Sequence, residues 1–207
     1  MLSKKIFGAA VVAACVLVSG AVGAETLKFD LSKQRDADKW VPFTGKWAIE
    51  DDAYGPAKLD DDIYPLAALK AGGFTDVEVT IKPEVPDIAF YASGVIRMST
   101  GKNSVSGYHL VAFFSPATVE VVLSRIDDLD LDPSKADWPA YACRKVVRIK
   151  KPKPEIIFAA KGDKISATYD GEKVCEFTDK TYRKGQVGLF NLSHWLQAYT
   201  AVKIVTP

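Results

Sequence analysis

The chain has 207 residues, with 27 Lys and Arg against 26 Asp and Glu, so its formal net charge at pH 7 is +1. This near-balance argues against a general nucleic-acid binder, which would carry a clear basic excess. The length is enough to enclose one substantial hydrophobic core, and neither repeats nor low-complexity linkers divide the sequence.

Residues 1–24 have the pattern of a secretory signal peptide. Lys4 and Lys5 precede an apolar run over residues 6–18, and the small residues at 22–24 fit a cleavage site. A membrane anchor and lipoprotein processing at Cys15 are the alternatives, but the apolar run is short and no polar tether follows Cys15. We therefore expect a periplasmic or secreted protein, with a single mature domain over residues 25–207 and no membrane span in it.

Strand-like segments follow along most of the remaining chain. Val77, Val79 and Ile81 alternate with polar residues, which is the period-2 pattern of a sheet with one wet face. We expect one helical turn, at residues 66–70. The predicted strands lie at residues 26–29, 46–49, 74–82, 95–99, 108–114, 119–125, 146–150, 156–160, 165–169, 187–191 and 198–205. Many short strands separated by Gly, Pro and Asp predict an all-β protein, a two-sheet antiparallel β-sandwich.

The clearest local signal is Asp170-Gly171, which separates an alternating segment at 165–169 from a short apolar segment around Val174. Asp-Gly between two such segments predicts a β-hairpin, because Gly accepts the positive φ of a tight turn. Cys143 and Cys175 are the two cysteines of the predicted mature domain. An exported protein with an even number of cysteines favours a disulfide between them, and two separate buried thiols are the alternative.

Several short motifs, in this order along the chain, together carry a family resemblance. They are Trp40, Gly45-Lys46-Trp47, residues 74–79, residues 93–97, residues 107–110 and residues 185–189. In this order the chain resembles the concanavalin A-like (laminin-G-like) jelly rolls, and particularly the 3-keto-disaccharide hydrolase-like domain family. The resemblance implies two stacked sheets with one concave face, and a carbohydrate as ligand. His109-Leu110-Val111 stands where hydrolase-like members usually carry an acidic residue, which is a departure from the pattern of the hydrolytic members.

Strand parity provides the first candidates for a ligand site. Arg97, His109 and Glu120 would supply donors and an acceptor to sugar hydroxyls if they converged on the concave face. The alternative is a structural ion pair between Arg97 and Glu120, with His109 a satisfied sheet histidine. No HExxH, CxxC, Gly-rich phosphate loop or Gly-x-Ser-x-Gly motif is present, so no residue is assigned a catalytic role.

Residues 126–142 form the second candidate, a segment rich in Asp and too long for a hairpin turn. Trp138 and Tyr141, with Trp195 from further along the chain, would offer flat apolar surfaces to pyranose rings. Asp128, Asp130 and Asp132 are oxygen ligands of the type that calcium prefers, although the spacing lacks the features of an EF-hand loop. A solvated acidic loop is the alternative, and no other cofactor is expected.

Three functions remain open from the sequence. The first is an exported carbohydrate- or glycan-binding protein. The second is a glycoside or 3-keto-glycoside hydrolase that would use His109, Glu120 and an Asp of residues 127–137. The third is a non-catalytic accessory subunit of an exported complex, in which the Lys- and Arg-rich residues 144–153 or the acidic residues 126–142 would contact a protein partner. The ordinary interpretation of that basic stretch is a charged edge strand that resists pairing with other chains.

Overall fold

The computed structural model describes residues 24–58, 62–83, 90–150, 154–192 and 198–206. Within these residues the chain forms strands connected by turns and loops, with one short helix. The elements are β1 (Glu25–Asp30), α1 (Gln34–Ala37), β2 (Trp40–Thr44), β3 (Trp47–Glu50), β4 (Ala53–Pro56), β5 (Leu66–Leu69), β6 (Val77–Pro83), β7 (Phe90–Thr100), β8 (Ser104–Phe114), β9 (Thr118–Asp130), β10 (Cys143–Arg148), β11 (Ile156–Lys161), β12 (Lys164–Tyr169), β13 (Glu172–Thr178), β14 (Gln186–Phe190) and β15 (Tyr199–Thr206).

The strands form two antiparallel sheets that pack face to face. The eight-stranded sheet has the order β13-β12-β11-β6-β15-β4-β3, with β1 paired to β15 beside this path. The seven-stranded sheet has the order β10-β9-β8-β7-β14-β5-β2. This arrangement confirms the predicted two-sheet antiparallel sandwich.

The main core lies between the sheets and is built by alternation along each strand. On β8, Leu110 and Ala112 face this core, whereas Val111 between them faces outward. Phe158 and Ile81 meet them from the eight-stranded sheet, and all are nearly or completely buried. Each such aliphatic or aromatic side chain, when fully buried, stabilises the fold by about 1.5–3 kcal/mol relative to exposure. The period-2 pattern of the sequence therefore decides which face each sheet turns inward.

The turn at Asp170 and Gly171 confirms the predicted hairpin between β12 and β13. Both residues have positive φ, 48° for Asp170 and 83° for Gly171. Two consecutive positive φ values are typical of a type I′ turn, whose twist matches that of the flanking strands. The Asp-Gly pair is thus the local reason for the strand reversal.

The predicted disulfide is also present. Cys143 of β10 is bonded to Cys175 of β13, with 5.8 Å between the two Cα atoms. Because β10 and β13 are edge strands of different sheets, the bond joins the two layers along one side of the sandwich.

The helical turn predicted at residues 66–70 is wrong, since Leu66–Leu69 forms strand β5. Leu66 and Ala68 belong to an apolar cluster on the outer face of the seven-stranded sheet, whereas Ala67 and Leu69 face the main core. A strand that is buried on both faces has no polar alternation, so its sequence is not distinguishable from a buried helical turn. The helix lies instead at Gln34–Ala37.

A second, smaller apolar cluster covers part of the outer face of the seven-stranded sheet. Leu131, from the segment after β9, packs there with Val95 and Phe190.

None of the helices formed by the described residues has the length and apolar character to cross a membrane. The predicted signal peptide lies outside the described residues except for Ala24, as do Lys151 and Lys153 of the basic stretch.

Candidate ligand-binding site

Strand register brings a row of side chains together on the outer face of the seven-stranded sheet. Val95 of β7 lies opposite His109 of β8, and His109 lies opposite Ser124 of β9. In the next row, Val111 lies opposite Val122. These neighbours confirm that His109 and Val111 share a face with the alternate residues of β9, as strand parity predicts.

This face carries an open pocket of about 210 Å³. Its floor is formed by residues of β8 and β9, and the other lining residues lie outside the strands. The lining residues are Tyr64, His109, Val111, Phe113, Val122, Ser124, Trp138, Tyr141 and Leu192. The pocket is therefore mainly apolar, with a few polar groups at its floor and rim, which is the usual composition of a small-molecule site.

Aromatic side chains form one wall of the pocket. The Trp138 ring lies 5.6 Å from the Tyr64 ring in an edge-to-face arrangement, and Trp138 Nε1 donates a hydrogen bond to the Tyr64 hydroxyl at 3.3 Å. Tyr141 is 57% exposed, and the Arg144 guanidinium lies 5.9 Å from the centre of its ring. Trp138 itself remains 37% exposed, so its ring is held in place by neighbours and still open to a ligand.

His109 lies at the floor of the pocket and is almost completely buried. Its Nε2 atom lies 2.7 Å from Ser93 Oγ, and Ser93 has no exposed surface. The imidazole ring also packs against Trp138 at 5.5 Å and edge-on against Phe190 at 5.1 Å. Burial lowers the pKa of His109 from 6.5 to about 3, because the charged form loses its hydration. At neutral pH the pocket therefore contains an uncharged imidazole.

Arg97 does not contribute to this pocket. The pairing of β7 with β8 shifts register between Ile96 and Ser99, and Arg97 has a φ of 48°. Such a bulge breaks the alternation of side chains, so parity with Val95 does not hold beyond it. The expected convergence of Arg97, His109 and Glu120 on one face is therefore not what the structure contains.

The guanidinium of Arg97 instead connects two loops at one end of the sandwich. Its Nε donates to the Thr75 carbonyl at 2.6 Å, and Nη1 donates to the Tyr182 carbonyl at 3.0 Å. Nη2 lies 3.3 Å from Asp76 Oδ1. The contacts of the buried Arg97 side chain are therefore structural. Its ionic partner is Asp76, so the predicted alternative of an ion pair with Glu120 is wrong.

Glu120 lies on the same outer face as the pocket, directly opposite Phe113, yet it is not among the lining residues. Its carboxylate forms an ion pair with Arg144 on the neighbouring strand β10. This pair and the contact of Arg144 with Tyr141 place a small charged group beside the aromatic wall.

Each of the three aspartates predicted to hold calcium accepts hydrogen bonds from its own neighbours. Asp128 accepts a hydrogen bond from Ser104, and Asp130 Oδ1 accepts one from Asn103 at 2.9 Å. Hydrogen bonds from Lys135 and Ser134 lower the pKa of Asp132 to about 2. No group of three or more His, Cys, Asp or Glu in the described part of the chain is placed to hold a metal ion. Within these described residues the structure thus shows no calcium site.

The loop predicted at residues 126–142 begins later than predicted, because strand β9 continues to Asp130 and includes Asp128. Sequence reasoning found His109, Trp138 and Tyr141, but it missed Tyr64, Ser93 and Leu192. Only the hydroxyl of Ser93, in phase with the outward residues of β7, gave a signal that could have been used. Trp195 lies outside the described residues.

A larger depression of about 470 Å³ lies on the outer face of the eight-stranded sheet. Lys28, Lys82 and Lys203 line it together with Glu78 and Glu155. Its charges of both signs are spread over a mainly exposed surface, and aromatic walls like those of the first pocket are not found among the lining residues. The pocket at His109 is therefore the better candidate for a ligand site.

Comparisons with known proteins agree with the fold. No protein-family model matches the sequence, and no curated protein matches it either. Among solved structures, the Crh5 transglycosylase in complex with NAG is similar, with a TM-score of 0.58 and 12% identity over 86% of this chain and 83% of that one. The carbohydrate-binding module CBM66 from Bacillus subtilis has a TM-score of 0.52 and 16% identity, over 81% and 92% of the two chains.

The VIP36 exoplasmic/lumenal domain, in a Ca²⁺/Man₂-bound form, is similar as well. Its TM-score is 0.59 at 9% identity, and the match covers 88% of this chain and 87% of that one. At such low identities the likeness concerns the fold alone. The chain therefore has the predicted concanavalin A-like, two-sheet β-sandwich fold.

Proposed function

We propose that this protein is an exported carbohydrate-binding protein, periplasmic or secreted, that holds a sugar ring in the pocket beside His109. The observation that carries the proposal is the partly exposed pair Trp138 and Tyr141 above a floor that contains a neutral imidazole. The C–H face of a pyranose packs on aromatic rings, while its hydroxyl groups need a small number of fixed polar partners.

The similar structures support this choice of ligand class. Two of them carry sugars in their descriptions, NAG with the Crh5 transglycosylase and Man₂ with the VIP36 domain, and a third is described as a carbohydrate-binding module. The ligand class comes to this protein by analogy, and the pocket chemistry supports it independently.

Binding is favoured over hydrolysis by the chemistry of the lining. Glycoside cleavage by the usual route uses a pair of carboxyl groups on either side of the scissile bond. Among the described residues that line the pocket, none is Asp or Glu, and the nearby Glu120 is paired with Arg144. The resemblance to 3-keto-disaccharide hydrolase-like domains is tested directly by incubation with a 3-keto-glucoside. Turnover that disappears in His109→Ala would replace the binding proposal.

The binding proposal is tested by calorimetry of the mature protein against a panel of oligosaccharides. We expect at least one to bind with a Kd in the millimolar range or tighter, and Trp138→Ala to weaken it about tenfold or more, since tenfold is about 1.4 kcal/mol. Phe43→Ala is the matched control, because Phe43 is 36% exposed and lies on β2, away from the pocket. Equal affinities of the two variants would contradict the assignment of the site, and no binding by any sugar would contradict the function.

A further inference from the structure

The contact between Ser93 and His109 determines which ring nitrogen is left for a ligand. A neutral imidazole has one N–H donor and one acceptor nitrogen, and the two can exchange. Ser93 Oγ lies 2.7 Å from Nε2, a distance that fits either direction of the hydrogen bond. The direction must therefore be found from the other partners of each group.

Ser93 is completely buried, so water does not reach its hydroxyl group. Among the described residues, His109 Nε2 is the partner found for Ser93 Oγ. If Nε2 carried the proton, the hydroxyl hydrogen of Ser93 would have no acceptor, and a buried unsatisfied polar group is costly. If the hydroxyl donates to Nε2 instead, the hydroxyl hydrogen has an acceptor and Nε2 has a donor.

We infer that Ser93 donates to Nε2 and thereby holds His109 as the tautomer that carries its proton on Nδ1. Of the two ring nitrogens, Nε2 is the one that has a hydrogen-bond partner among the described residues, and His109 lines the pocket. The floor of the pocket therefore presents an N–H donor to its ligand. Ser93 is a positioning residue in this arrangement, because it acts on the ligand through His109.

This inference rests on the proposed function for its consequence and specifies the ligand further. The ligand group above His109 is a hydrogen-bond acceptor, such as a hydroxyl, ring or carbonyl oxygen. An ammonium group has donors only, so it would find no partner at Nδ1–H. A neutral sugar or an N-acetylated one fits the site, and a free amino sugar with its ammonium at this position does not.

The tautomer is measured without any ligand, by ¹⁵N–¹H correlation spectra of the full mature protein with labelled histidine at pH 7. The sequence has only two histidines, so His194→Gln leaves a single ring to assign. We expect Nε2 of His109 to have the shift of an acceptor nitrogen and Nδ1 that of a protonated one. A protonated Nε2 in this spectrum would overturn the inference, whether or not any sugar binds.

Two variants test the role of Ser93. Ser93→Ala should produce a mixture of tautomers and weaken sugar binding by between about two- and tenfold, the range for loss of one hydrogen bond. Ser93→Thr retains a hydroxyl group and should restore the Nδ1–H spectrum. An unchanged tautomer in Ser93→Ala would overturn the inference. If Ser93→Ala fails to fold, the spectra of the native protein and of Ser93→Thr decide.

The acceptor requirement is tested with methyl glycosides of glucose, N-acetylglucosamine and glucosamine as probes. We expect the first or second to shift the Nδ1 signal while Nε2 stays unprotonated, and the ammonium-bearing third to bind at least about tenfold more weakly. Preferred binding of the glucosamine probe would overturn the acceptor requirement. If none of the three probes binds, the proposed function fails for these sugars, while the tautomer result stands as a separate finding.

Discussion

The hydroxyl group of Tyr199 lies 2.6 Å from the carbonyl oxygen of Ser93, although the two residues belong to opposite sheets. The same hydroxyl lies 3.0 Å from the carbonyl of Phe190, and Tyr199 is completely buried. Burial raises the pKa of Tyr199 well above its usual value, so the group stays a neutral donor. The floor of the pocket is thereby attached through the core to the other layer.

Tyr199→Phe should lower the free energy of unfolding by about 1–3 kcal/mol, because the carbonyls of Ser93 and Phe190 lose the one hydroxyl hydrogen that they share. Chemical denaturation followed by tryptophan fluorescence measures this change. Tyr141→Phe is the control, since the Tyr141 hydroxyl is exposed and its loss should leave stability within about 0.5 kcal/mol of the native value. Equal stability of the two variants would show that the hydroxyl group of Tyr199 does not stabilise the fold.

The low pKa of His109 predicts how stability depends on pH. Above pH 6.5 the imidazole is neutral in both the folded and the unfolded chain. As pH falls from 6.5 towards about 3, the unfolded chain binds a proton that the folded chain refuses, so the free energy of unfolding decreases. The slope from this one group is about 1.4 kcal/mol per pH unit at most.

His109→Gln should remove this contribution, so the free energies of unfolding of native protein and variant should converge as the pH is lowered from 7 to 4. Denaturation at several pH values measures the difference in the free energy of unfolding between the two proteins. The contributions of carboxylates common to both cancel in this difference. A constant difference over this interval would mean that His109 titrates normally. An NMR titration in which the His109 ring is half protonated near pH 6.5 would show the same.

The disulfide should be a major source of stability. The two cysteines are 32 residues apart, and a closed loop of that size lowers the entropy of the unfolded chain by an amount equal to roughly 3–4 kcal/mol. The double variant Cys143→Ala, Cys175→Ala should be less stable by this amount in denaturant. A reducing agent should destabilise the native protein and leave the double variant unaffected, and an equal response of both would disprove the assignment.

Arg97→Lys should reduce stability by about 1–3 kcal/mol without changing sugar affinity. A lysine has no planar fork of donors, so it would not satisfy the carbonyls of Thr75 and Tyr182 together. Denaturation and calorimetry measure the two effects separately. Arg35→Lys, at a side chain that is 84% exposed, is the control and should change neither. A selective loss of affinity in Arg97→Lys would restore Arg97 to the ligand site.

Calcium should affect neither folding nor ligand binding through the acidic segment. Asp128, Asp130 and Asp132 already accept hydrogen bonds from different neighbours, and within the described residues they are not part of a group placed to hold a metal ion. Thermal unfolding with millimolar calcium and with EDTA should give the same Tm within error. An increase of several degrees that is lost in Asp130→Asn would contradict this expectation.

Much of the architecture is readable from local patterns. The hairpin at Asp170-Gly171 depends on two neighbouring residues, and the inward or outward direction of His109 depends on the regular alternation of β8. Such properties are set over a few residues, so one sequence is enough to predict them. The pairing of Cys143 with Cys175 was likewise predictable, because these two are the cysteines beyond the expected signal peptide.

The composition of the pocket was less predictable because it depends on long-range register. Tyr64 meets Trp138 across 74 positions of sequence, and no local pattern indicates that contact. Arg97 was misplaced because a bulge interrupts the alternation of β7, and a bulge formed by ordinary residues leaves no sequence signature. The candidate site was therefore predicted only in part. The regular alternation of the strands and the exposed aromatic residues indicated some of its residues, whereas the long-range contacts were not predicted.

The cross-linked side of the sandwich also bears on the tendency of β proteins to polymerise. A free sheet edge is a template on which another chain can add a strand, and charged side chains or proline discourage that addition. Edge strand β10 carries Arg144, Lys145 and Arg148, and it is covalently attached to β13, the edge of the other layer. At the far side of the same sheet, β2 contains Pro42, which has no amide hydrogen to offer. Both borders of the seven-stranded sheet thus discourage growth into fibrils.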